Sequence, residues 1–150
     1  LMAFQYLLAG SALLGAYATV QSGKAAQSAA NAEALQFEQE KRQNEIIAAQ
    51  RHVDRLNQYD SARATNEAFF AFLGRDSSDR SVKAFMDKQR EVAYTDVARS
   101  DAQGYAEGVQ LATQAQVTRM RGANAARSAN IAALTTLSSG LYQYKTVKID

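Results

Sequence analysis

Ala68-Phe69-Phe70-Ala71-Phe72-Leu73-Gly74-Arg75-Asp76-Ser77-Ser78-Asp79 is the one clear break in a chain otherwise written for helix. Gly74 suits the left-handed position that ends a helix, and Asp76, Ser77 or Ser78 can accept from the free N–H groups that open the next one. Asp79, in that first turn, complements the helix dipole. The turn is therefore placed at residues 74 to 78. Phe69, Phe70, Phe72, Phe85 and Met86 are expected to close the hairpin in a core around Gly74, Asp76 and Ser78, with Gly74 at positive φ.

Upstream, residues 24 to 73 read as one long helix. Ala25, Ala26, Ala29, Ala30, Ala32 and Ala34 give it a small face. Ile46, Ala49, Val53 and Leu56 follow at 3–4 spacing, and Tyr59, Ala62, Asn66, Phe69 and Leu73 resume it after a one-residue phase slip. Downstream, a second helix runs from about Asp79 to about Ser139, with Val82, Phe85, Met86, Val92, Val97 and Tyr105 leading into an alanine-rich stretch. Composition agrees: about a fifth of the 150 residues are Ala and none is Pro, Trp or Cys. An average chain of this length carries about seven prolines, and each in a helix interior costs ~3 kcal/mol.

Residue size mirrors about the turn. If the helices pair antiparallel around positions 75 to 77, partner numbers sum to roughly 152. Phe69, Phe70 and Phe72 then oppose Val82, Phe85 and Met86, Gly104 falls near Ala48, and Ala123, Ala125 and Ala126 oppose residues 25 to 30. Small opposes small and large opposes large, as close helix packing requires.

The first 23 residues hold no charged side chain. As a helix, Met2 to Val20 would run on the order of 30 Å. Three readings stay open: a buried core or oligomer helix, a membrane-active helix, and a signal peptide with Ala16-Tyr17-Ala18 as a cleavage site but no basic residue before the apolar run. Ser128 to Tyr144 is also uncharged. The pairing rule brings the two segments into one charge-free tip, carried by Leu7, Leu8, Ser11, Leu14, Gly15 and Thr19 on one side and Ile131, Leu134 and Leu137 on the other. Beyond Gly140 the β-branched and aromatic residues suit a short extended tail, with continued helix as the alternative. The expected organisation is an apolar helix at 1–23, a helical hairpin at 24–140 and a tail at 141–150. The fold class is all-α: two long antiparallel alanine-rich helices plus an apolar N-terminal helix. So thin a pair buries little by itself, so assembly into a ring-like homo-oligomer is expected.

Charge is uneven beneath a net +2. From Gly108 to Ile149 there are five basic residues, Arg119, Arg121, Arg127, Lys145 and Lys148, and no acidic one. This is either a solvated face or a surface that meets DNA or an acidic partner. Catalytic patterns are missing. The only imidazole is His52, between Arg51 and Arg55, with no cysteine to activate. There is no Glu-x-x-His for a helical di-metal site. Glu38, Glu40 and Glu45 lack an acid/base partner. Gly104-Tyr105-Ala106-Glu107-Gly108 signals a close helix crossing or a kink. The expectation is a non-enzyme without cofactor or metal.

Several stretches together resemble the small internal virion, or ejection, protein of autographivirus-type podophages, the group of the coliphage T-seven. Ser22-Gly23-Lys24-Ala25-Ala26-Gln27 after an uncharged start is similar to that family's entry segment, and Arg99 to Gln116 is similar to its polar helix of Tyr, Gln and Ala. The most specific part is Ala68 to Val82, whose Gly74-x-x-x-x-Asp79-Arg80 resembles the family's turn between two long helices. The chain is shorter at its C-terminus than those relatives. The resemblance implies a protein of the capsid interior, stacked on the portal with other core proteins around phage DNA, then ejected into the host envelope as part of a DNA conduit. The competing expectation is an exported or cytoplasmic helical coiled-coil structural or adaptor protein.

Overall fold

The computed structural model describes the backbone of residues 2–147 and the side chains of residues 10–142. It is all-helical, with α1 at Met2–Phe72 and α2 at Arg80–Val147. Two expected boundaries move. No break separates residues 2–23 from residue 24 onward, because α1 runs through Gly23, and of the two readings for the segment after 140 continued helix holds as far as Val147, because α2 runs through Gly140. Neither glycine breaks its helix; both are spacers. A Cβ on Gly23 would lie 2.4 Å from the Ala129 Cβ, and one on Gly140 2.6 Å from the Ala12 Cβ. Each is glycine because the partner helix occupies the place of a side chain.

The chain divides into two compact units: Leu1–Glu38 with Thr113–Asp150, and Gln39–Ala112. The first is an antiparallel helix pair with a small-residue seam. Ala12 meets Gly140, Gly15 meets Thr136, Gly23 meets Ala129 and Ala30 meets Gly122. Ala16, Ala34, Ala115, Thr118 and Ala133 are buried along it. Partner numbers sum to about 152 at three of these four meetings and to 151 at the other, as the size mirror predicts. Alanine contributes little apolar area, so cohesion here comes from close backbone approach rather than from interlocking large side chains.

The second unit is a helical hairpin with a different seam. Ala48 abuts Gly104, where an added Cβ would sit 2.9 Å away, in the same register. Around that contact the facing groups are mostly polar. Asn44 Nδ2 donates to the Gly104 carbonyl at 3.4 Å, and Asn66 Nδ2 donates to Gln89 Oε1 at 2.8 Å. His52 Nδ1 lies 3.0 and 3.1 Å from the two Asp101 carboxylate oxygens, and Arg55 pairs with Asp96. These pairs are partly exposed, so each is worth at most about 1 kcal/mol and they serve mainly to fix register. Tyr59 and Tyr94 meet edge to face, and Val82 and Val97 are the buried aliphatics.

The expected apolar seam of α1 is thereby corrected. Ile46 and Val53 are 59% and 54% exposed, and Ala49 is exposed beside them, while Asn44, Ala48, His52, Arg55 and Tyr59 turn toward α2. The Ala48–Gly104 approach sets the rotation of α1, and that rotation carries the aliphatic stripe off the seam.

Candidate functional site

The turn is built by a complete set of caps. Gly74 has φ +71°, the Arg75 N–H donates to the Phe70 carbonyl at 2.9 Å, and the Gly74 N–H donates to the Ala71 carbonyl at 3.0 Å. That is the paired closure of a helix ending on a left-handed glycine. Asp76 Oδ1 then accepts from the Ser78 N–H at 3.3 Å and from the Ser77 hydroxyl at 3.2 Å, which folds the loop. Asp79, rather than Asp76, Ser77 or Ser78, caps α2. Its Oδ1 accepts from the Ser81 N–H at 3.0 Å and its carbonyl accepts from Lys83 N–H at 2.9 Å. The Gly-x-x-x-x-Asp-Arg spacing thus has a mechanical meaning: it is the distance from the terminating glycine of one helix to the cap and first residue of the next.

Both carboxylates are held below their usual range, Asp76 chiefly by the Ser78 N–H and Asp79 chiefly by the Ser81 N–H. A group whose pKa falls on folding stabilises the fold above its unfolded pKa and loses that contribution as pH drops through the carboxylate range. Thermal melts across that range should therefore show wild type losing more stability on acidification than a chain carrying Asp76→Asn and Asp79→Asn. Parallel profiles would mean that the caps do not couple to folding.

The aromatic residues at the turn are arranged differently from expectation. Phe70 takes the half-buried inward position, meeting Phe85 at 5.5 Å and Phe69 at 6.0 Å between ring centroids. Phe72 is 87% exposed, and Phe69 and Phe85 are also more exposed than core residues. A helix places only about one residue in four on a given line, so Phe69, Phe70 and Phe72 cannot all face one partner. Met86 is half-buried, and Val82 supplies the buried side chain opposite Phe70. A groove of about 690 Å³ beside the turn is lined in part by Tyr59, Phe70, Val82 and Met86. Its cations are largely engaged: Arg63 with Glu67, Arg75 with Asp79, Arg90 with Asp87.

In the first unit, Leu13, Leu14, Tyr17, Ile131, Leu134, Leu141 and Tyr142 are all exposed. Ser11 is exposed too, whereas Gly15, Thr19 and Leu137 are half-buried, and the Thr19 hydroxyl donates to the Gly15 carbonyl at 2.8 Å. The side chains of Leu7, Leu8, Lys145 and Lys148 lie outside the described residues. Among the proposed DNA or partner contacts, Arg119 is paired with Glu38 at 2.7 Å, and Arg121 and Arg127 are exposed. Among the described residues no helix is long and apolar enough to cross a membrane, and no cluster of His, Cys, Asp or Glu could hold a metal ion. His52 pairs with Asp101 while its side chain stays 41% exposed. Its partner is 49 residues away in sequence, so only the pairing register could have revealed it.

No protein-family model, no curated protein and no solved structure matches the chain.

Proposed function

We propose that this chain is a structural internal virion protein of a short-tailed phage, an ejection protein that acts through assembly and not through catalysis. In this reading it packs as a ring-like homo-oligomer in the capsid core near the portal, together with other core proteins and against DNA through weak, non-specific contacts. It then leaves with the genome and helps to line a conduit across the host envelope.

The observation that carries the reading is the Gly74-to-Arg80 turn joining two long alanine-rich helices whose apolar side chains lie largely on the outside. A chain built this way has its larger hydrophobic groups available to neighbours, and contiguous exposed apolar surface of that kind marks association sites. The charge-free tip supports the envelope step. Leu13, Leu14, Tyr17, Ile131, Leu134, Leu141 and Tyr142 are exposed without a charged side chain among them, so they can enter a bilayer interface without desolvating an ion. The direct test is mass spectrometry of purified virions and of host envelope fractions after infection. The protein should appear in both, and its absence from virions would end the proposal.

The tip makes a separate prediction. Leu14 is 72% exposed, so Leu14→Asp should leave folding intact. It should nevertheless reduce dye release from liposomes several-fold, since a carboxylate near the apolar layer costs roughly 2–3 kcal/mol. Removal of residues 1 to 23 should abolish release. Equal release by wild type and both variants would make the segment a packing element of the virion only.

A further inference from the structure

The charge-free end of the first unit has two unlike sides. Leu13, Tyr17, Val20 and Lys24 recur at the spacing of one helix line on α1, and Arg127, Leu134, Leu137 and Leu141 do so on α2. The Glu38–Arg119 ion pair at 2.7 Å brings the two lines together. Glu38 lies 18 residues after Val20 and Arg119 lies 18 before Leu137, about five whole turns in each case, so Val20 and Leu137 share the side of the pair on which that bridge forms. Leu13, Tyr17, Leu134 and Leu141 are exposed there. Lys24 and Arg127, also exposed, stand at one level of the pair, beside the meeting of Gly23 with Ala129. Along the other side run Ser11, Ala18 and Ser22 of α1 and Ala132, Thr135 and Ser139 of α2, all exposed and all small or polar. We infer that the leucine and tyrosine side is a docking face for an anionic bilayer surface, on which the helix pair lies flat and does not cross.

Two chemistries on one side select the occupant. The leucines and the tyrosine fit an apolar layer, and the two cations at their inner boundary call for negative charge directly beside it. A second copy seated on this face would not supply that charge, because no Asp or Glu occurs before Glu33 on α1 or between Gly108 and Ile149 on α2. A bilayer with anionic headgroups supplies both, acyl chains for the apolar side chains and phosphates for Lys24 and Arg127. Orientation follows from the contrast between the two sides. The apolar line runs along the helices with a polar line behind it, which is the pattern of a helix that lies in the interface plane. Among the described residues no helix is long and apolar enough to span. The inference rests on the envelope step of the proposed function and gives it a surface, a lipid class and an orientation.

The chain has no cysteine, so a single thiol carrying an environment-sensitive dye can be set by Leu134→Cys on the apolar side or by Ala132→Cys on the polar side, both exposed positions. The full-length proteins are mixed with vesicles of phosphatidylcholine, with and without phosphatidylglycerol. The dye on the apolar side should brighten and shift to the blue only with the anionic vesicles, and the dye on the polar side should change little. Lys24→Gln with Arg127→Gln should weaken binding to the anionic vesicles about 30-fold, the loss of two surface cations, at unchanged helicity. Binding to neither vesicle type, equal binding to both, or a like response of both dyes overturns the docking face. So does a change on the apolar side that follows protein concentration without lipid, which would put a second copy there. Should the charge variant lose helicity, the two dyes and the two vesicle types decide without it. Virion mass spectrometry tests the ejection reading separately. A chain found in virions that ignores lipid ends only this inference, and one absent from virions that binds as described ends only that reading.

Discussion

Gly122→Leu is expected to force apart the helix pair of the first unit, and Gly122→Ala to destabilise it although alanine is the better helix former. Glycine to alanine in a helix interior gains about 1 kcal/mol in propensity. Here, however, a Cβ on Gly122 would lie 2.5 Å from the Ala30 Cβ, 3.3 Å from the Gln27 Cα and 3.4 Å from the Gln27 carbonyl oxygen. Two of the three obstacles are backbone and cannot rotate away, so the helices must separate. Overpacking of this kind costs about 1–3 kcal/mol, and more for leucine, whose whole side chain has nowhere to go. Alanine's net effect is then a loss of roughly 1 kcal/mol. Ala30→Gly in the same chain removes the nearest obstacle and should recover most of the loss, a coupling that a double-mutant cycle on thermal melts would reveal. Gly108→Ala is the contrast, since the nearest atom to its added Cβ is the flexible Lys41 Cε at 3.9 Å. It should stabilise by up to about 1 kcal/mol. If Gly108→Ala and Gly122→Ala shift the melting temperature in the same direction by the same amount, close approach is not what holds the pair together.

Phe70→Ala should cost about 2 kcal/mol, against less than about 0.5 kcal/mol for Phe72→Ala. Full burial of a phenylalanine would put the figure at 3–5 kcal/mol, but Phe70 is half-buried, with edge-to-face contacts to Phe69 and Phe85. Phe72 offers most of its surface to solvent. Denaturant titration of the two variants checks the order. Equal losses would place both rings in the closure of the hairpin and overturn the inward assignment of Phe70 alone.

The pairing register was legible from residue size because close-packed helices leave little freedom: where one side must be glycine, the other is alanine. Ala12–Gly140, Gly23–Ala129, Ala30–Gly122 and Ala48–Gly104 all fall on the single rule of constant sum. The turn was legible for a similar reason, since only certain side chains satisfy the free groups at helix ends. What could not be read was the rotation of α1 about its own axis. Hydrophobicity favoured Ile46, Ala49, Val53 and Leu56 as the inward line, but in a pair with only one partner per helix most of each surface stays wet, so a second apolar line has as much claim as the first. The same ambiguity put boundaries of the expected organisation at residues 23 and 140, although both glycines lie inside their helices. A glycine that spares room for a neighbour and a glycine that stops a helix are identical in sequence, and only the residue across from it tells them apart. Among the candidate tip residues, Leu14, Ile131 and Leu134 are exposed and Gly15, Thr19 and Leu137 half-buried, while Leu7 and Leu8 fall outside the described side chains.

The absence of any large, fully buried side chain among the described residues has a calorimetric consequence. The heat capacity increment of unfolding scales with the apolar area newly exposed to water and is about 2 kcal/mol/K for an ordinary chain of this length. Here the alanine and glycine seams hide little such area, and many of the larger aliphatic and aromatic groups are already hydrated before unfolding begins. The single chain should therefore have a small increment, a flat stability curve with temperature and little tendency to cold-denature. In the assembly proposed above, most of the usual curvature would return as copies take Leu14, Ile131, Leu134 and their neighbours out of water, so that the temperature dependence of stability would belong to the assembly more than to the subunit.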